Sequence, residues 1–156
     1  MNMRDMKRSA VRSLVGAGLL MLVGCGQTYV ATSQLSGASE APNPVTTSAA
    51  GTSTATLDGN ELTVTGGFNG LQSDLMETAG SSAHVHRGAS GTAGPIVFNL
   101  TVTSTDKRNG TFTGTKSLSN EEEEDFKNGL YYVNVHTANN PSGEIRGQFI
   151  PIKQED

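Results

Sequence analysis

The chain has 156 residues, of which 11 are basic and 15 acidic, and its net charge is −4 at pH 7. This length suits one domain better than two. An acidic domain has no electrostatic attraction for a phosphate backbone, so the composition argues against a nucleic-acid partner. Since the sequence contains a single cysteine, a framework of intramolecular disulfides is excluded.

The first 24 residues have the pattern of an export signal. Basic side chains are followed by an apolar run at residues 14–23, which is too short to cross about 30 Å of hydrocarbon as a helix. The basic residues are Arg4, Lys7, Arg8 and Arg12. Residues 22–25 (Leu-Val-Gly-Cys) resemble a bacterial lipobox, in which the cysteine is lipidated and becomes the mature N-terminus.

This resemblance implies that Cys25 carries acyl chains that anchor the protein in a membrane. The protein is then expected in the cell envelope, facing away from the cytoplasm, and on the outer membrane if the cell is Gram-negative. The alternative is an ordinary secretory signal followed by a free thiol. We expect residues 1–24 to be a lipoprotein signal peptide and residues 25–32 a tether, with a folded domain at 33–150 and a tail at 151–156.

Alternation of apolar or β-branched residues with polar ones predicts strands along most of the mature chain. The predicted strands are residues 29–35, 51–57, 61–65, 82–87, 95–103, 111–117, 131–137 and 144–150. The Asp58-Gly59 and Asn109-Gly110 pairs predict tight hairpin turns. Residues 40–50 contain two prolines and are expected to be a loop. We therefore expect an all-β fold, an antiparallel β-sandwich of about eight strands with one short helix.

The helix is predicted after the sixth strand. Ser119 and Glu122 have the spacing of a capping box, and residues 121–125 place negative charge where the helix dipole favours it. Asn128-Gly129 is a typical stop. A calcium loop is the alternative for this acidic run, but it lacks the glycine and asparagine spacers of such loops.

Three blocks of the sequence are similar to the CHRD domain, a family named after chordin. They are residues 35–42 with 50–55, residues 83–88 with 91–97, and residues 129–137 with 141–148. The resemblance extends over residues 33–150. It implies an all-β domain that acts as a binding or structural module, without a known reaction.

All three histidines of the chain lie in these blocks. His84 and His86 are two residues apart on a predicted strand. Their side chains therefore lie on the same face, and their Cα atoms are about 6.6 Å apart. If the strand before His136 pairs with theirs, three imidazoles could bind one zinc or copper ion. Glu144 or a loop carboxylate could complete the ligand set. The alternative is that each ring hydrogen-bonds loop backbone and has a structural role.

The His-Val-His string also resembles a copper-ligand segment of Cu/Zn superoxide dismutases, which are β-sandwiches. The sequence departs from that family because it has neither a fourth histidine to bridge the two metals nor a cysteine pair. It also contains no nucleophile motif of a hydrolase. We therefore expect a protein that is not an enzyme.

Arg87 and Arg146 are weaker candidates for a ligand site. Each could bind a carboxylate or sulfate with two parallel hydrogen bonds. The alternative is a structural arginine that pairs with Glu144 or with loop carbonyls. The partners expected from the sequence are the membrane, through the lipid anchor, and an unknown protein or small ligand.

Overall fold

The computed structural model of the chain describes residues 26–155. Cys25 and the signal segment before it lie outside the described residues, so their export and lipidation stay predictions. Among residues 26–155, no helix combines the length and the apolar character needed to span a membrane.

The described chain forms one antiparallel sheet of ten strands. The strands are β1 (Thr28–Ser36), β2 (Ala50–Asp58), β3 (Glu61–Asn69), β4 (Ala83–Arg87), β5 (Ile96–Asn99), β6 (Thr101–Thr103), β7 (Gly110–Ser117), β8 (Tyr131–Val135), β9 (Ile145–Gln148) and β10 (Ile152–Lys153). Their order across the sheet is β5-β4-β8-β9-β1-β2-β3-β7-β6, and β10 pairs with β1. The predicted all-β antiparallel fold is confirmed.

The sheet curls until its two ends almost meet. Strands β5 and β6 lie at opposite ends of the strand order but are separated in the chain only by Leu100. The Leu100 N–H donates to the carbonyl of Ala83 at 3.0 Å, and its side chain is 2 % exposed. The predicted single strand at residues 95–103 is therefore two strands, because the chain leaves β4 at this residue and joins β7.

Both ends of the described chain extend the sheet further than expected. Strand β1 begins at Thr28, one residue before the predicted strand at residues 29–35, and so includes part of the segment expected to be a tether. Residues 152 and 153, expected in a tail, form β10, where Lys153 pairs with Tyr29 and Ile152 with Val30. The split strand and β10 account for ten strands instead of about eight.

The predicted turn at Asp58-Gly59 and the predicted helix are confirmed, whereas the tight turn predicted at Asn109-Gly110 is wrong: residues 104–109 form a longer loop, and Gly110 is the first residue of β7. Gly59 has φ +57° in the turn between β2 and β3. Helix α1 (Asn120–Lys127) begins with the capping box of Ser119 and Glu122. Phe126 of this helix is fully buried and packs on Tyr131 and Phe149, with ring centroids 6.0 and 6.4 Å away. The helix is thereby attached to the apolar core.

Strands β4, β8 and β9 are buried on both faces. One face belongs to the apolar core and includes Val85 opposite Val133 and Val135 opposite Ile145. Residues that are paired across neighbouring strands lie on the same face, and alternate residues lie on opposite faces. The other face is polar, since His84 is opposite Asn134 and Asn134 is opposite Arg146. We call this face the polar layer; it comprises His84, His86, Tyr132, Asn134, His136 and Arg146.

Candidate metal centre

The three histidines form one cluster in the polar layer. His84 and His86 come from β4, and His136 directly follows β8, where its N–H donates to the Ser82 carbonyl at 2.8 Å. The side chains are 0 %, 8 % and 5 % exposed, respectively. One ring nitrogen from each lies within 4.8 Å of the other two. The structure thus brings together the residues that the sequence analysis singled out.

Each ring is held by a backbone carbonyl through its outer nitrogen. His84 Nε2 lies 2.8 Å from the Thr78 oxygen, and His86 Nδ1 lies 3.0 Å from the Gly94 oxygen. His136 Nδ1 lies 2.9 Å from the Pro141 oxygen. A carbonyl oxygen only accepts, so the nitrogen that contacts it carries the proton. These three contacts therefore select one tautomer of each neutral ring.

The inner nitrogens then carry lone pairs. His84 Nδ1 and His136 Nε2 are 2.9 Å apart, although both are acceptors in the selected tautomers. His86 Nε2 is buried and has no hydrogen-bond partner. Two lone pairs that face each other repel unless a proton or a metal ion lies between them.

Burial makes it unfavourable for an additional proton to lie between the facing lone pairs of His84 and His136. Loss of solvation lowers the pKa of all three rings, and that of His136 falls to about 4. The neighbouring rings lower the pKa of His136 further, because each would repel a second positive charge. At neutral pH the cluster is a set of three neutral imidazoles, which is the form that binds zinc or copper.

A stack of planar groups supports one side of the cluster. The His86 ring is parallel to Tyr132 within 8°, with centroids 4.9 Å apart. The Arg146 guanidinium carbon lies 3.4 Å from the centroid of the same tyrosine ring. The Tyr132 hydroxyl accepts a hydrogen bond from the Gly94 N–H at 3.1 Å. Tyr132 and Gly94 together restrict the orientation of His86, as neighbours of metal-binding histidines do.

Comparison with known protein families matches the CHRD domain to residues 31–149, more than half of the chain. The chain belongs to the CHRD domain family. The match includes all three histidines and agrees with the resemblance found in the sequence. No curated protein and no solved structure matches the chain.

Arg146 of this CHRD domain has the structural role that was the alternative for it. It is 1 % exposed and donates to the carbonyls of Thr92 at 2.7 Å and Ala89 at 3.0 Å. It also donates to Gln148 Oε1 at 2.8 Å. Both terminal nitrogens are therefore engaged by the domain itself, which ties the loop before β5 to β9.

Arg87 lies outside the polar layer and pairs with helix α1. Its Nε is 2.8 Å from Asp125 Oδ2 and its Nη2 is 3.3 Å from Glu121 Oε1. The side chain is 46 % exposed. These contacts indicate that Arg87 attaches the helix to β4, with partners other than the Glu144 or loop carbonyls considered in the sequence analysis.

Glu144 is completely buried, but it is not part of the group of nitrogens described above. Its Oε1 accepts from Thr47 Oγ1 at 2.8 Å and from the Gln72 N–H at 2.9 Å, and its Oε2 accepts from Thr137 Oγ1 at 2.8 Å. The carboxylate therefore joins three segments of the chain. This hydrogen-bond network explains why an acidic side chain is buried directly before β9, without a role as a metal ligand.

Two residues of the site were missed by the sequence analysis. Asn134 is 2 % exposed; its Nδ2 donates to the Ser142 carbonyl at 3.1 Å, while its Oδ1 has no partner. Glu40 is 6 % exposed, and its Oε1 also lacks a partner. Burial raises the pKa of Glu40 to about 7, although the nearby Arg146 charge lowers it in part. The strand alternation from His136 could have revealed Asn134, but nothing local singles out Glu40.

Proposed function

We propose that this CHRD domain is a lipid-anchored binding module of the cell envelope that holds one zinc or copper ion with His84, His86 and His136. The role proposed is binding and not catalysis. The observation that carries the metal proposal is the orientation of the rings: three outer nitrogens face carbonyls and three inner lone pairs face one another. Family membership supports a binding or structural module in general.

The spacing of the rings fits one ion after small movements. A tetrahedral ion about 2.0–2.1 Å from each nitrogen needs nitrogens roughly 3.4 Å apart. The closest pair is 2.9 Å apart and all three lie within 4.8 Å. Small side-chain rotations that shift each ring nitrogen by less than about 1 Å would meet this requirement. Because imidazole sites generally prefer Cu²⁺ to Zn²⁺, we expect copper to bind more tightly.

The alternative is a purely structural cluster that never takes up a metal ion. That cluster would keep two facing lone pairs 2.9 Å apart, or would hold a proton at a buried position where burial lowers the pKa of each ring. A metal ion removes both difficulties. The same three carbonyl contacts that fix the tautomers then serve to orient the ligands.

Metal titration of the full chain, purified in detergent, tests this proposal. We expect one Zn²⁺ or Cu²⁺ per chain in competition with a chromophoric chelator, and loss of that binding in His86→Gln. The matched control replaces Glu121 and Glu124, whose side chains are 77 % and 68 % exposed, by glutamine. This control should bind as the unmodified chain does. Equal affinity of His86→Gln and the unmodified chain would refute the proposal, provided that circular dichroism shows both folded.

The anchor is tested separately through Cys25. In Cys25→Ser we expect the protein to leave the membrane fraction, since a serine side chain cannot take the thioether-linked lipid. Immunoblotting of soluble and membrane fractions measures this, with the unmodified chain as the reference. If Cys25→Ser remained with the membranes, the lipid anchor would be ruled out, and the metal proposal would be unaffected.

A further inference from the structure

An ion that binds the three histidines has to reach a buried position. The inner nitrogens lie between the sheet and the loops whose carbonyls contact the outer nitrogens, at Thr78, Gly94 and Pro141. Backbone therefore closes the cluster on the sides of these three loops, and the apolar core lies beneath it. Tyr132 and Arg146 stack on the side of His86, and Asn134 and Glu40 also belong to the surroundings of the cluster.

Asn134 connects this part of the surroundings to the histidines. It lies opposite His84 in the pairing of β4 and β8, on the same face of the sheet as His86. The hydrogen bond from Nδ2 to the Ser142 carbonyl, 3.1 Å long, fixes the amide. Its Oδ1 is thereby left as a buried acceptor without a donor.

Glu40 connects Asn134 to the surface. Both side chains lie against the Cα of Gly143: a Cβ atom built there would be 2.6 Å from Asn134 Nδ2 and in closer contact with Glu40 Oε1. Gly143 has φ +131°, so glycine is favoured at this position. Glu40 also lines a cleft of about 370 Å³ together with Ser90 and Arg146. A line from the surface inwards therefore leads from the cleft to Glu40, then to Asn134 and then to His86.

The unpaired atoms along this line share one chemistry. A carboxylate oxygen, an amide oxygen and an imidazole nitrogen are all acceptors, and none has a hydrogen-bond donor. Buried polar atoms are normally paired, so three exceptions in the polar layer and the loop beside it call for an explanation. Acceptors of this kind replace the water ligands of a metal cation.

The charges of Arg146 and Glu40 give a second reason to assign Glu40 a role in cation entry. The Arg146 guanidinium lies at the same cleft and would repel an approaching cation. The Glu40 carboxylate is the acidic side chain whose attraction acts on Arg146. Above its pKa of about 7, Glu40 is mainly ionised and offsets part of the positive field of Arg146 at the mouth of the cleft.

We propose that Glu40 and Asn134 form an access site through which the zinc or copper ion passes from the cleft to the histidines. The inference rests on the proposed metal function. It assigns Glu40 a transient contact with the ion, whereas the three histidines remain the permanent ligands.

The rate of Zn²⁺ uptake by the full chain tests this assignment in a stopped-flow experiment with a fluorescent zinc indicator. In Glu40→Gln we expect uptake at least about tenfold slower, in line with the rate effects of local charge. Release should slow by a similar factor, so the dissociation constant stays within about twofold, since an access site acts on both directions alike. Glu61→Gln, an exposed acid at the start of β3, is the matched control and should behave as the unmodified chain.

The outcomes separate the two proposals. Unchanged rates in Glu40→Gln would overturn the access site, and so would weaker affinity with normal uptake, which indicates a permanent ligand. Failure of the unmodified chain to bind either Zn²⁺ or Cu²⁺ would overturn the metal function itself. Glu40→Asp keeps the charge, so its uptake rate should lie nearer to that of the unmodified chain; a rate as low as that of Glu40→Gln would refute the electrostatic reason. Circular dichroism of each variant without metal verifies the fold.

Discussion

Strands β2 and β3 differ from strands β4 and β8 in what covers their outer face. In β2 and in the first half of β3, inward residues are buried and most outward ones are exposed or partly exposed, as in an ordinary half-solvated antiparallel sheet. In β8 every residue is buried, and in β4 only Arg87 is exposed. Apart from Ser53, whose hydroxyl donates to the Thr65 carbonyl, the first pair buries apolar side chains, whereas the second pair must also satisfy several polar groups beneath loops.

The comparison shows where a function is to be sought in this fold. Most buried polar side chains of the second region have partners. Glu144 accepts a hydrogen bond from Thr137, and Arg146 donates three hydrogen bonds. The unpaired acceptors His86 Nε2, Asn134 Oδ1 and Glu40 Oε1 belong to two residues of the polar layer and to the loop residue that lies beside Asn134. A protein selected only for stability has no reason to collect such atoms in one place.

The largest expected effect comes from the paired part of the polar region. Glu144→Ala leaves three donors without their acceptor, one of them on the buried Thr137, so we expect a loss of about 3–5 kcal/mol in the free energy of unfolding. Leu62→Ala in β3, which removes a fully buried side chain, should cost about 2–5 kcal/mol. Urea unfolding measures both. A cost below about 1 kcal/mol for Glu144→Ala would mean that the loops are held by other contacts.

The histidine cluster predicts a pH dependence of stability in the metal-free protein. Burial lowers the pKa of His136 from 6.5 to about 4 in the folded state. The unfolded chain therefore binds the proton more readily between these values, and stability is lost as the pH falls from 6.5 towards 4. For His136 alone the loss is about 3 kcal/mol. His136→Gln should lose less over the same range, as measured by urea unfolding in a chelator; equal pH profiles would show that the ring is not buried uncharged.

The smallest effect on stability is expected where the metal function is removed. His86→Phe keeps a planar ring on Tyr132 and eliminates an unpaired nitrogen, but it leaves the Gly94 carbonyl without its donor. These effects oppose each other, so the free energy of unfolding without metal should change by less than about 1 kcal/mol. A loss above 3 kcal/mol would assign His86 a structural role instead.

Much of the fold could be predicted because its signals are local. Strand alternation and the Asp58-Gly59 turn require no knowledge of distant residues. The break at Leu100 could not be predicted, because Ile96, Phe98 and Leu100 continue an apolar alternation through it. The break is decided by the change of partner strand from β4 to β7, which is a property of the whole sheet.

The candidate site was predictable only in part for the same reason. Two histidines at alternate positions of a strand necessarily share a face, but the arrival of His136 depends on the pairing of β4 with β8. Glu40 comes from a proline-containing loop far away in the chain, and its position beside Asn134 follows from how that loop covers the sheet. The tautomers depend on three separate loop carbonyls.

The passage of the chain from β5 to β6 at Leu100 has a consequence for the behaviour of the protein at high concentration. Strands at the margin of a sheet can recruit a strand of another molecule and so begin aggregation. Here the marginal strands β5 and β6 have only four and three residues, and consecutive chain holds them together. Short margins of this kind offer little backbone for edge-to-edge association, so we expect a concentrated solution of the domain to resist fibril formation.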